Sequence, residues 1–178
     1  MIEKYGISQF SMGKLAKQLN VKTASLYNHV ESMDKLLEAV GFEVISQLME
    51  VEEQAIEGKQ GDDALFALAE AYRSFARKHY HLYRVIMAFP QWDNPVLEQE
   101  VSRVVTPILK VLSGYGLSDV QQYHWQRILR SIMVGFAFHE QAGGFSHFPA
   151  DKNESYHIAI QCMADSLYQA GRKGDNPK

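Results

Sequence analysis

From Lys22 to His29 the sequence reads Lys-Thr-Ala-Ser-Leu-Tyr-Asn-His, short polar side chains around a single leucine. On a helix that turns Leu26 inward, Lys22, Thr23, Ala24, Ser25, Tyr27 and Asn28 face outward. The chemistry of such a face is that of reading a duplex. Thr and Ser hydroxyls are short enough to meet base edges, and the Ala24 methyl can meet a thymine methyl. Tyr27 and His29 can hydrogen-bond phosphates, which fixes register without reading sequence.

Other chemistries lack their parts. The seven histidines give no metal-ligand spacing: His79 and His81 lie two apart, His139 adjoins Glu140 without a third ligand, and His124, His147 and His157 are scattered. No phosphate-cradling glycine loop, nucleophile elbow or metalloprotease motif is present. Neither an enzyme nor a resident cofactor or metal is therefore expected. Cys162 is the only cysteine, which rules out an intramolecular disulfide, suits a reducing cytoplasmic setting, and is expected as a buried interface side chain. No run of eighteen apolar residues and no signal pattern occurs, so no membrane span is expected.

The elements that must carry these residues are helical. Ser11 is a candidate N-cap, followed by Met12, Leu15, Ala16 and Leu19 at three- and four-residue spacing. Asn20 suits a left-handed turn, Val21 is expected as a buried plug, and a short helix runs over about 23–29 with Leu26 and Val30 on one side. Ser32 caps a long strut through Leu36, Leu37, Val40, Val44, Leu48 and Val51 to Gly58, with Asp34 in its first turn. Gly61-Asp62-Asp63 opens a helix through Leu65, Leu68, Tyr72, Phe75 and Ala76, followed by an aromatic-rich segment from His81 to Phe89. Past Pro90 and Asp93-Asn94-Pro95 another helix extends to Gly114. Ser118 starts a long helix to about 142, Gly143-Gly144 stops it, and a last helix spans about 154–171. Eight helical segments and no strand give an all-α architecture. A three-helix helix-turn-helix module, its first helix truncated, occupies 1–45, and a helical bundle for dimerisation and ligand binding occupies 46–178.

Charge follows the same division. Residues 1–30 carry Lys4, Lys14, Lys17 and Lys22 against Glu3, a net +3, so the remainder holds −6 of the total −3. A basic end on an acidic body suits contact with a polyanion at one end only.

The stretch SMGKLAKQLNVKTASLYNHV resembles the DNA-binding domain of the tetracycline-repressor (TetR) family. The family's signature is similar to S-M-x-x-L-A-x-x-L-x-V-x-x-x-x-L-Y-x-H-F followed by x-S-K-x-x-L-L. This chain carries it at Ser11, Met12, Leu15, Ala16, Leu19, Val21, Leu26, Tyr27, His29, Ser32, Leu36 and Leu37. Asn20 stands for the usual Gly and Val30 for the usual Phe. Met33 stands for a lysine that contacts phosphate, so that contact is either missing or comes from Lys35. The resemblance implies a complete helix before the motif, of which MIEKY is what this sequence carries. The segment RSIMVGFAFHEQAGGF, Arg130 to Phe145, further resembles the WHG type of C-terminal domain at Gly135, Phe136, Glu140, Gly143 and Phe145.

The resemblance implies a DNA-binding transcriptional regulator, a repressor released from a double-stranded operator by a small-molecule effector. It also implies a homodimer formed through the last two helices. The helix from Val120 is apolar on more than one face, as a helix with two surfaces to bury must be. A pocket for an apolar or aromatic effector is expected around Tyr72, Phe75, Tyr83, Met87, Trp92, Trp125, Met133, Phe136 and His139, where soft, wide side chains concentrate. The competing reading is a helical ligand-binding or interaction protein in which the short N-terminus impairs DNA binding.

Overall fold

Three serines open helices in the computed structural model, which describes residues 1–88 and 103–174. Ser11 Oγ accepts from Lys14 N (3.3 Å), Ser32 Oγ from Lys35 N (3.1 Å) and Ser118 Oγ from Gln121 N (3.4 Å). Each satisfies an amide that the first turn of a helix leaves without a partner. The elements among the described residues are α1 (Ile2–Tyr5), α2 (Met12–Gln18), α3 (Thr23–Leu26), α4 (Met33–Ile56), α5 (Gly61–Lys78), α6 (Tyr80–Ala88), α7 (Thr106–Leu112), α8 (Asp119–Gln141) and α9 (Lys152–Gly174). Short 3-10 turns at Ile7–Gln9 and Ser113–Tyr115 complete them, and no strand occurs among these residues. The all-α expectation is met. None of these helices is long and apolar enough to cross a membrane.

The chain divides into two units, one of residues 1–47 and 79–88, the other of 48–78 and 103–174. In the first, α1 packs on α6 and α2 on α3. Ile2, Leu37 and Val85 form its buried centre, with Ile7, Phe10, Met33, Val40 and Leu82 against them. His79 Nδ1 lies 3.1 Å from Glu3 Oε1, a second tie between α1 and the start of α6. The aromatic-rich segment after residue 80 is thus a helix of its own.

In the second unit α5 is central, packed by α7, α8 and α9. Its face of Leu65, Leu68, Ala69, Tyr72 and Ala76 meets Ile108, Leu112, Leu129, Met133, Ile160 and Leu167, all buried. The Tyr156 hydroxyl donates to the Ala69 carbonyl (2.7 Å) and the Tyr115 hydroxyl to Asp62 Oδ1 (2.9 Å), so two buried phenols find partners on α5. Gly171 on α9 lies against the Tyr115 carbonyl so closely that no side chain fits there.

Ser118 and Gln121 form a reciprocal capping box, with Ser118 N donating to Gln121 Oε1 (2.9 Å). Ser118→Ala should cost about 1 kcal/mol, read as a lower urea midpoint at unchanged slope. An unchanged midpoint would show that α8 does not depend on its cap.

Candidate nucleic-acid interface and polar cluster

The turn between α2 and α3 forms as the sequence anticipates. Asn20 has φ 55°, the one positive φ outside glycine among the described residues, and Val21 N closes the turn onto the Ala16 carbonyl (3.0 Å). Met12 and Ala16 are buried and Leu15 and Leu26 half-buried, so α2 and α3 meet on small and branched side chains. Two expectations fail. Leu19, 57% exposed, sits past the last residue of α2, and Val21, 45% exposed, is no plug. With α2 seven residues long and α3 only four, the corner has too little inner face to cover both. The helix anticipated over 23–29 is α-helical only to Leu26. Beyond it His29 N and Val30 N still bond the Leu26 carbonyl in tight turns.

Lys22, Thr23, Ala24, Ser25, Tyr27, Asn28 and His29 are all exposed on this short segment, which starts with Lys22 in extended backbone at the N-cap. Lys35 is exposed too, but its Nζ lies 2.7 Å from Glu38 Oε2. That hydrogen bond holds the Lys35 ammonium above its ordinary range, so a phosphate would have to compete with Glu38 for it. On the neighbouring helix Lys14 Nζ is bonded to Gln9 Oε1 (2.9 Å).

The aromatic set anticipated as a pocket distributes differently. Tyr72, Phe75 and Met133 are core of the second unit, while Tyr83, also buried, belongs to the first. Trp125 and Phe136 are half-buried and His139 is exposed. Trp92 and the Met87 side chain lie outside the described residues. Cys162 is exposed in the single chain rather than buried.

What the sequence reading missed in the second unit is a polar cluster. Arg73, 2% exposed, donates through Nε and Nη2 to the two oxygens of Glu140, both at 2.9 Å. Its guanidinium carbon lies 5.3 Å from the Phe136 ring centre and 4.8 Å from that of Tyr156. The hydrogen bond from Arg73 holds the Glu140 carboxyl below the usual carboxylate range, against the effect of burial. Burial pushes the Tyr156 phenol above its ordinary value. An opening of about 530 Å³ lies beside this cluster, lined by Phe66, Glu70, Arg73, Tyr156, His157 and Ile160 among others. Phe66 and His157 stack at 4.7 Å within its wall.

The second residue missed is Glu52. The apolar stripe of α4 was expected to pass through Val51, yet Val51 is 38% exposed and Glu52 1%. Both Glu52 carboxylate oxygens are buried without a hydrogen-bond partner among the described residues. No group of three or more metal-ligating side chains occurs among the described residues.

Comparison with known proteins bears on both units. The family model described as "Bacterial regulatory proteins, tetR family" matches residues 1–40. The model described as "Tetracyclin repressor-like, C-terminal domain" matches residues 65–163. An uncharacterized helix-turn-helix-type transcriptional regulator of Mycobacterium tuberculosis is 31% identical over 84% of this chain and 69% of its own length. A protein of unknown function from a Rhodococcus species superposes with a TM-score of 0.80 at 19% identity, over 94% of this chain and 89% of the other. The TetR-family protein ActR of Streptomyces coelicolor, solved in complex with actinorhodin, superposes with a TM-score of 0.68 at 16% identity, over 96% and 92% of the two chains.

Proposed function

We propose a division of labour for this chain, which belongs to the TetR family of bacterial regulatory proteins: the first unit reads DNA and the second takes a small molecule. The chain is a DNA-binding transcriptional regulator of the helix-turn-helix type, without an enzymatic reaction of its own. The observation that carries the DNA half is the exposed run Lys22 to His29 behind a left-handed Asn20 turn, on the basic end of an acidic chain. Lys22, Tyr27 and His29 take phosphates, Thr23, Ala24, Ser25 and Asn28 face base edges, and Lys35 reaches a phosphate on leaving Glu38. The likeness to the WHG type of C-terminal domain rests on the segment from Arg130 to Phe145.

The protein acts as a homodimer through α8 and α9. Val120, Tyr123, Ile128 and Phe138 on α8 and Ile158 and Tyr168 on α9 are 43–64% exposed, more apolar surface than two helices of a lone chain would leave in water. Two-fold pairing presents two reading units to half-sites a helical turn apart, which multiplies a weak single-unit affinity. The effector releases the operator because it binds the DNA-incompetent arrangement more tightly than the competent one.

A gel shift with the DNA upstream of the protein's own gene tests the reading. Specific retardation is expected, with log K falling linearly as log salt rises. Equal affinity for that fragment and for unrelated DNA of the same length would overturn it.

A further inference from the structure

The inward stripe of α4 reads Val44, Ile45, Leu48, Glu52 and Ile56, each between 1% and 4% exposed. Four are aliphatic. The fifth is a carboxylate, one turn from Leu48 and one from Ile56, in a place where the helix's own periodicity calls for leucine. Neither oxygen of Glu52 has a hydrogen-bond partner among the described residues. Arg130 on α8 attracts it electrostatically and Glu53 repels it, but no cation among the described residues hydrogen-bonds to it. For folding alone such a residue is a loss. A buried carboxylate without donors costs several kcal/mol, and an apolar residue of similar volume would pack there at no such penalty. A buried carboxyl group left without a partner inside a ligand-binding unit points to a partner that comes from outside.

We propose that Glu52 is the counter-charge of an effector site in the second unit, built for a small organic cation: an ammonium or guanidinium group on an apolar body. Once its proton is displaced the carboxylate only accepts, so the incoming group is a donor, and a positive one offsets the charge that burial otherwise suppresses. Leu48 and Ile56, one turn to either side in the second unit, select the apolar body. The inference rests on reading the second unit as the effector domain.

Glu52 gives the proposal a pH signature. Desolvation pushes the Glu52 carboxyl up to about 8, against the pull of Arg130 and with the help of Glu53. Tyr156 on α9, the other group coupled to it, is itself pushed up by burial and stays neutral across this range. Below pH 8 the Glu52 carboxyl is therefore protonated in the free protein, and an arriving cation must expel that proton. Affinity for a cation rises about tenfold per pH unit up to about pH 8 and then levels.

The test uses the full chain with matched probes: phenethylammonium against phenethyl alcohol, cyclohexylammonium against cyclohexanol, and protonated benzylguanidine against benzylurea. Calorimetry at pH 6.5 in buffers of different ionisation enthalpy should show at least one cation binding tenfold or more tightly than its neutral match, releasing close to one proton. Glu52→Gln should lose both the preference and the proton. Neutral probes binding as tightly as cations, binding without proton release, or no cation binding even at pH 8 would each overturn the proposal. So would a folded Glu52→Gln variant that kept the preference. The wild-type comparison stands alone if that variant does not fold. Release of operator DNA by neutral compounds alone would remove the cation claim and leave the regulator reading intact. Absence of specific DNA binding would do the reverse.

Discussion

Arg73→Met should be the most damaging single change in the second unit, costing about 3–5 kcal/mol, the range for removing one partner of a buried ion pair. The guanidinium is 2% exposed, holds both oxygens of Glu140 and lies against the Phe136 and Tyr156 rings. Methionine fills some of that volume but leaves Glu140, whose side chain is 10% exposed, without its donors. Replacing both partners by apolar residues removes the orphan, so Arg73→Met with Glu140→Leu should be more stable than Arg73→Met alone. Urea unfolding of the four proteins in the double-mutant cycle gives the coupling. Additive effects would show that the pair contributes only through volume.

The same pair sets an acid limit. Arg73 holds the Glu140 carboxyl below the ordinary carboxylate range that it has in the unfolded chain. A depressed carboxylate contributes its stability in full above the unfolded value and loses it as pH falls from there through the folded one. Wild-type stability should therefore drop between about pH 5 and pH 3 more steeply than that of Arg73→Met. Parallel pH profiles would remove the pair from the acid response.

Thr23→Ala should weaken operator binding about 30-fold while changing affinity for unrelated DNA by less than twofold. The reasoning is additive: a lost base contact costs about 1 kcal/mol at each half-site, and a symmetric dimer loses it twice. Thr23 is exposed at the first position of α3, so the fold should be nearly indifferent to the change. Lys22→Ala should instead weaken specific and non-specific binding alike and lower the slope of log K against log salt. Competition gel shifts at two salt concentrations separate the two effects. If Thr23→Ala and Lys22→Ala acted alike, the assignment of reading and phosphate roles along this segment would be wrong.

How much of this was legible beforehand depends on the range of the interactions. Ser11, Ser32, Ser118 with Gln121, and the Asn20 turn act within four residues, so the sequence alone determined where those helices begin and where the first corner bends. The exposed face from Lys22 to His29 was equally plain, because exposure on one short turn needs only Leu26 pointed inward. Distribution beyond that range was decided by tertiary structure. Whether Val51 or Glu52 lies in the inward stripe of α4 is a difference of one residue, about 100° of helix rotation, and the apolar residue wins on composition alone. Only packing turned the carboxylate in and the valine out. Leu19 and Val21 were apolar at inward spacing, yet burial needs a neighbour as well as a pattern, and the short α2–α3 corner supplies none. Arg73 and Glu140 lie 67 positions apart, and no local rule pairs them; α5 and α8 bring them together through the apolar residues on either side. The sequence by itself thus determined the α2–α3 corner and its exposed segment, whose geometry is local. The interior charges of the second unit were set by the fold, because a buried charge takes its meaning from what surrounds it.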